Sequence, residues 1–278
     1  MLNTQALQNR LSGKLSLPSL PEVVTRVQEL LRDPNCGLAE IGALIAQDPP
    51  LAARVLRIAN SAFYSLSTPV LDIAHAAAIL GLDALQSIAL QVSKADLYSG
   101  LRPDQQFDPR EMWQHSTLTA ELAASAPTRL FKGLSHQEAF VTGLLHDIGK
   151  FVLFDHLREE FADAVVLSQS SGRPLCELEN EVFGFTHADV GKLVAERWGL
   201  PKRVVSAIGR HHTPDVAQVA DPLPVLIAAV DHIAVETFEA TRPKMSRPLP
   251  KKLVERLELS EAEIEAWVKR SLEIQKGA

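Results

Sequence analysis

Helix-start signals recur along this chain at intervals close to the length of an ordinary globular helix, and that recurrence restricts the fold more than any other sequence feature. Ser19 and Glu22 bracket Leu20 and Pro21 as a capping box, in which hydroxyl and carboxylate each satisfy a backbone N–H left over by the first turn. Asp48 precedes Pro49 and Pro50, Asp108 precedes Pro109, and Thr186 precedes His187. Ser135 with Glu138 and Ser260 with Glu263 repeat the box. Apolar residues follow at helical spacing: Val23, Val24, Val27, Leu30 and Leu31, then Ile41, Leu44 and Ile45, then Leu51, Val55, Leu56 and Ile58. A helix from Asp72 meets Gly81 and resumes at Asp83 towards Leu97, and Pro109 opens another through Met112, Trp113, His115, Leu118 and Leu122. Phe151 to about Ser168 reads as an amphipathic helical region, Thr186 opens a helix that stops at Gly199, and Pro201 opens one that ends at His211 and His212. No stretch alternates with the period of a strand, so the expected fold is all-α.

With 278 residues, 46% of them hydrophobic, the chain can bury a sizeable core in one or two domains. The polar segment 99–109, with two prolines, marks the expected boundary. It separates an N-terminal helical part (1–105) from a second helical part (106–240), and a basic connector with C-terminal helices (241–278) follows. A formal net charge of −6 argues against a direct nucleic-acid interface, which needs a broad basic face. The basic run from Arg242 to Lys252 is interrupted by prolines and reads as a solvated connector. The longest apolar stretch, Pro222 to Val230, is far shorter than the ~20 residues of a membrane-spanning helix. Residues 1–13 lack the basic-then-apolar order of a signal peptide and read as a helical lead-in. Cys36 and Cys176 form no C-x-x-C pair and read as free thiols, so the expected location is the cytoplasm.

The chemistry centres on GLLHDIGK, residues 143–150, where His146 and Asp147 stand together at the end of an apolar helical run. An imidazole nitrogen and a carboxylate oxygen suit a divalent metal, and the second carboxylate oxygen can bridge to a neighbouring ion. Asp231 adds a separate signal. It lies inside the apolar run from Leu223 to Val235, where an unpaired carboxylate costs roughly several kcal/mol. No Lys or Arg lies within eight positions before it or ten after it, so its positive partner must arrive through tertiary contact. A metal is one candidate; a distant arginine or an imidazolium is the other.

The run DPPLAARVLRIANSAFYSLSTPVLDIAHAAAILGLDAL (48–85), GLLHDIGK, and FGFTHADVGKLVAERWGLP (183–201) together resemble the HDOD domain, a bacterial signal-transduction module related to the HD phosphohydrolases. The resemblance spans roughly residues 15–240 and implies an N-terminal helical subdomain packed on an HD-like one over 106–240. Set in order, His115, His146, Asp147, His187, His211, His212 and Asp231 reproduce the H…HD…H…HH…D pattern of two-metal HD phosphodiesterases. By that resemblance one ion takes His115, His146, Asp147 and Asp231, and a second takes Asp147, His187, His211 and His212. Asp147 bridges. Many HDOD proteins lack one or more of these ligands; this chain lacks none. The implied cofactor is one or two divalent ions, iron, manganese or zinc. His75, His136, His156 and His232 fall outside the pattern.

Two functions follow from the resemblance. One is a regulatory module that acts through a protein partner or a phosphate-containing small ligand; the other is a metal-dependent phosphohydrolase. Lys150, just beyond Asp147, is placed either to contact a phosphate or to sit at a helix end as a solvated cation. In the family branch that cleaves cyclic di-GMP the HH pair is followed by a Gly-Tyr-Pro segment. Here His211 and His212 are followed by TPDVAQVADPLP, which argues against that activity. Phe63 and Tyr64, in the loop 61–69, are candidate partner contacts as well as candidate core residues.

Overall fold

A computed structural model describes residues 21–33, 35–64, 66–91, 109–131, 133–214, 221–238 and 247–277. The lead-in over 1–13, Ser19, the 99–108 part of the polar boundary, the helical extension to Leu97 and the basic residues Arg242 and Lys244 lie outside them. The described residues are helical and include no strand, as the caps and periodicity predict. None of the helices is long and apolar enough to cross a membrane.

The chain divides into two compact units, each assembled from two separated stretches: 1–113 with 147–200, and 114–146 with 201–278. The first unit holds α1 (Pro21–Leu30), α2 (Leu38–Ile45), α3 (Pro49–Ala59), a 3-10 turn (Ala62–Tyr64) and α4 (Ile73–Gln91). To these it adds the first residues of α5 (Pro109–Ala124), then α7 (Ile148–His156), α8 (Arg158–Ser171), α9 (Leu175–Phe183) and α10 (His187–Arg197). The Asp48 carboxylate, fully buried, accepts the Leu51 N–H at 2.8 Å and starts α3 as expected. Gly81 kinks α4 with φ 75°, a left-handed backbone that a side chain would strain. Gly42 lets α2 settle directly on α4, because a Cβ there would lie 2.7 Å from the Ala74 Cα. The Trp113 ring meets Phe151 edge-to-face at 4.6 Å, tying the start of α5 to α7.

Two features of this unit go beyond the sequence reading. The helical region read over Phe151 to about Ser168 holds parts of two helices, split at Leu157, whose φ −132° and ψ 48° are not helical. The apolar pattern runs on across the break, so the sequence shows no stop. Leu175–Phe183, a stretch on which the sequence reading is silent, forms α9 and ends on Gly184 at φ 78°.

The second unit holds the rest of α5, a 3-10 turn (Thr128–Phe131), α6 (His136–Leu145), α11 (Lys202–Arg210), α12 (Leu223–Phe238), α13 (Lys251–Leu257) and α14 (Glu261–Gly277). Ser135 and Glu138 close their capping box on α6, and Ser260 and Glu263 exchange the same bonds at the start of α14. Its core is aliphatic: Leu118, Leu122, Leu226, Ile227, Ile233 and Leu253 pack together, with Trp267 of α14 against them. Each fully buried Leu or Ile contributes about 1.5–3 kcal/mol, so α12, apolar on nearly every face, is the natural centre of this unit.

Candidate metal centre

In the second unit, α5, α6 and α12 bring three donor atoms to one point. His115 Nε2 lies 3.1 Å from Asp231 Oδ1, His146 Nε2 lies 3.4 Å from the same oxygen, and the two imidazole nitrogens are 3.3 Å apart. A glycine permits this convergence. A Cβ on Gly143 would fall 2.8 Å from the Ala120 Cα and 2.9 Å from the Thr119 carbonyl, so only glycine lets α6 approach α5 closely enough.

The residue following α6 is His146, and its Nδ1 donates to the Gly143 carbonyl at 2.7 Å. That bond satisfies a carbonyl left over by the helix end and fixes the proton on Nδ1. The opposite nitrogen, Nε2, faces Asp231 Oδ1 and His115 Nε2: protonated, it donates to the carboxylate, and deprotonated, it offers a lone pair to a metal ion. His211, following α11, repeats the device: its Nδ1 donates to the Ile208 carbonyl at 2.7 Å. The His211 ring stands 5.1 Å from that of His146 and 4.0 Å from that of His212, which is exposed.

Asp231 answers the question its apolar surroundings raise. Burial pushes its carboxyl pKa up, yet hydrogen bonds from His115 and His146 and their charge hold it well below the usual carboxylate range. The partners are imidazoles.

The first unit holds Asp147 and His187 together. His187 Nε2 lies 3.3 Å from Asp147 Oδ1, and Lys150 Nζ donates to Asp147 Oδ2 at 2.6 Å. The second glycine of GLLHDIGK makes this contact possible. A Cβ on Gly149 would fall 1.9 Å from the His187 carbonyl oxygen and 2.8 Å from the Gly191 N, so α7 and α10 touch backbone to backbone. Thr186 and Asp189 form a capping box that fixes the start of α10 and hence the His187 side chain.

Sequence reasoning overlooked Glu179. Its carboxylate is fully buried, and Oε2 accepts from the His187 backbone N–H at 2.9 Å and from Nδ1 at 2.6 Å. Burial lowers the His187 pKa, but the Glu179 charge and the hydrogen bonds to Asp147 and Glu179 outweigh burial and Lys150, leaving it raised. A signal was present: Glu179 shares the apolar stripe of α9 with Leu175 and Phe183, four positions to either side, while Glu177 and Glu181 face solvent.

The donors fit a divalent ion. At metal–ligand distances of about 2.1 Å, neighbouring ligands stand roughly 3.0 Å apart in an octahedron and roughly 3.4 Å apart in a tetrahedron. The three separations of 3.1, 3.3 and 3.4 Å around Asp231 fall on that scale. The four other histidines serve different ends. His75 is exposed, His136 and His232 bond to the carbonyls of Ala124 and Arg247, and His156 pairs with Asp155.

Residues 17–214 match the HDOD domain family. The chain is 26% identical over 208 residues to an uncharacterized protein of Treponema pallidum (strain Nichols), covering 74% of this chain and 40% of that one. It is 34% identical over 148 residues to a ribonuclease Y of Thermus thermophilus, covering 53% of this chain and 20% of the nuclease. The chain thus spans less than half the length of these two curated relatives. Its fold matches the crystal structure of the MmoQ response regulator from Methylococcus capsulatus (strain Bath) with a TM-score of 0.74 and 23% identity, over 93% of this chain and 99% of that one. Domain match, helical fold and the histidine-aspartate sequence between residues 115 and 231 agree, and the chain belongs to the HDOD family.

Proposed function

We propose that this chain is a signalling module whose HD-type residues hold one or two divalent ions, and that its output is partner binding governed by a phosphate-containing ligand. The observation that carries the reading is the convergence of His115 Nε2, His146 Nε2 and Asp231 Oδ1 within 3.4 Å of one another. Two imidazole nitrogens and a carboxylate oxygen this close need either protons on the rings or a cation between them, and the Nδ1 of His146 is already committed to a carbonyl, leaving its Nε2 to face the other two. His115, His146, Asp147 and Asp231 would hold one ion, and Asp147, His187, His211 and His212 the second. Such ions, when bound, supply positive charge for phosphoryl oxygens and lower the pKa of a coordinated water. The chain's own residues hold the donors in place: backbone carbonyls orient His146 and His211, and Lys150 balances the charge of Asp147.

The partner surface is proposed around Phe63. Phe63 is 85% exposed in the Ala62–Tyr64 turn, and its ring meets that of Tyr64 edge-to-face at 5.1 Å. That exposure favours an interacting role over core packing. Iron, manganese and zinc suit the nitrogen and oxygen donors best. The alternative, a metal-dependent phosphohydrolase, draws on the same donors and on the similarity to a ribonuclease over 148 residues. Cyclic di-GMP is not its expected substrate.

Calorimetric titration of inorganic phosphate into reconstituted and chelator-stripped protein, alongside turnover assays on phosphomonoesters, cyclic di-GMP and an RNA oligomer, separates these readings. The module reading expects metal-dependent phosphate binding with no turnover. Turnover of any of these substrates that His146→Ala abolishes would replace it with the enzyme reading.

A further inference from the structure

Buried carboxylates without a stated role are few among the described residues, and Glu179 stands out because its bonds all converge on a single histidine. Among the described residues, its carboxylate accepts hydrogen bonds from His187 alone, through backbone N–H at 2.9 Å and Nδ1 at 2.6 Å. An ionised carboxylate oxygen can only accept, so the proton of the Nδ1–Oε2 bond is held on Nδ1. The opposite nitrogen, Nε2, is thereby turned to Asp147 Oδ1 at 3.3 Å. Carboxylate, imidazole and second carboxylate stand in line, and the N-terminus of α10 supplies the backbone donor that anchors the first of them.

From this geometry we infer that Glu179 is a positioning residue: it fixes the ring and tautomer of His187 so that Nε2 is presented as a ligand to a divalent ion shared with Asp147. The inference rests on the reading of His187 as a metal ligand. Carboxylates that accept the far N–H of a ligating histidine strengthen its donor nitrogen and restrict its rotation, and their loss typically weakens metal binding ~10–100-fold. Placing the carboxylate on α9 rather than α10 has a consequence. The bond to the His187 backbone N–H couples the middle of α9 to the first turn of α10, so the site and the packing of these two helices are linked.

The test compares Glu179→Leu, which removes the acceptor, with Glu179→Gln, which retains an acceptor oxygen and almost the same volume. Glu177→Leu, at an exposed position of the same helix, is the control. Two quantities are measured: the ring ¹⁵N shifts of His187 in metal-free protein, and the affinity for Zn²⁺ and Mn²⁺ by chelator competition. Expected are a wild-type ring protonated on Nδ1, a mixed or Nε2–H ring in Glu179→Leu, and affinity falling ~10–100-fold in Glu179→Leu with partial rescue in Glu179→Gln. If Glu179→Leu does not fold, the same comparison is made between Glu179→Gln and wild type, where loss of the charge alone should weaken binding severalfold. If His187→Ala weakens metal binding while the foldable Glu179 variants match wild type in affinity and ring shifts, the positioning role is overturned and the metal site stands. If wild type takes up neither metal, the metal reading fails and the inference with it.

Discussion

Substituting Gly149 by alanine tests the backbone contact on which the placement of His187 depends. The added Cβ would stand 1.9 Å from the His187 carbonyl oxygen and 2.8 Å from the Gly191 N, whereas ordinary contact begins near 3.4 Å. Relief requires α7 and α10 to part by about 1.5 Å, the difference between 3.4 and 1.9 Å, and the obstacle is helix backbone rather than a side chain that could rotate away. Overpacking of this kind costs typically ~1–3 kcal/mol. A rigid backbone on both sides puts Gly149→Ala at the upper end, about 3 kcal/mol, or roughly a hundredfold in the folding equilibrium. For a domain of this size that corresponds to a drop of about 6–12 °C in Tm. Gly37→Ala is the control. It has φ −86° and nothing within 4 Å of an added Cβ, so its effect should stay within about 0.5 kcal/mol. Thermal unfolding by circular dichroism, in chelator so that no metal contributes, reads both. A Gly149→Ala protein that melts within a degree or two of wild type would refute the close approach of α7 and α10.

Gly143→Ala should destabilise for the same reason in the other unit and lower metal affinity together with Tm, read by calorimetry and chelator competition, because α6 carries His146 against α5. Arg129 donates to Glu263, whose pKa this contact lowers to about 2 from 4.5. A depressed carboxylate contributes stability that is present above pH 4.5 and is lost as pH falls towards 2. Because both side chains are partly in water, the contribution is about 1 kcal/mol, and Glu263→Gln should remove the corresponding slope from urea midpoints measured between pH 5 and pH 3. Phe63→Ala should change the unfolding free energy from urea titration by less than about 0.5 kcal/mol while abolishing partner capture, since the residue is 85% exposed.

Local rules were legible and long-range ones were not. Asp48, Ser135 and Thr186 each cap a helix as read, because a cap is a bond between residues three positions apart. The demand for a positive partner at Asp231 was also legible, since an apolar run around a carboxylate is a local fact; that the partners are His115 and His146 was beyond local pattern. The break at Leu157 was hidden because leucine continues the apolar pattern there while its backbone leaves the helix. Glu179 was passed over because Glu177 and Glu181 make α9 look like a solvated face. GLLHDIGK drew attention to its His and Asp, yet its two glycines do as much for the site, by admitting α5 and α10 to backbone contact.

The central claim is that the donors gathered around Asp231 hold a metal ion. Elemental analysis by mass spectrometry of protein stripped with chelator and then reconstituted with iron, manganese or zinc tests it most directly, with Asp231→Ala beside wild type. The account predicts at least one ion per wild-type chain and a loss of at least one in Asp231→Ala, with folding checked by circular dichroism. Wild-type protein that retains no metal after reconstitution, or a folded Asp231→Ala protein that retains as much as wild type, would contradict it.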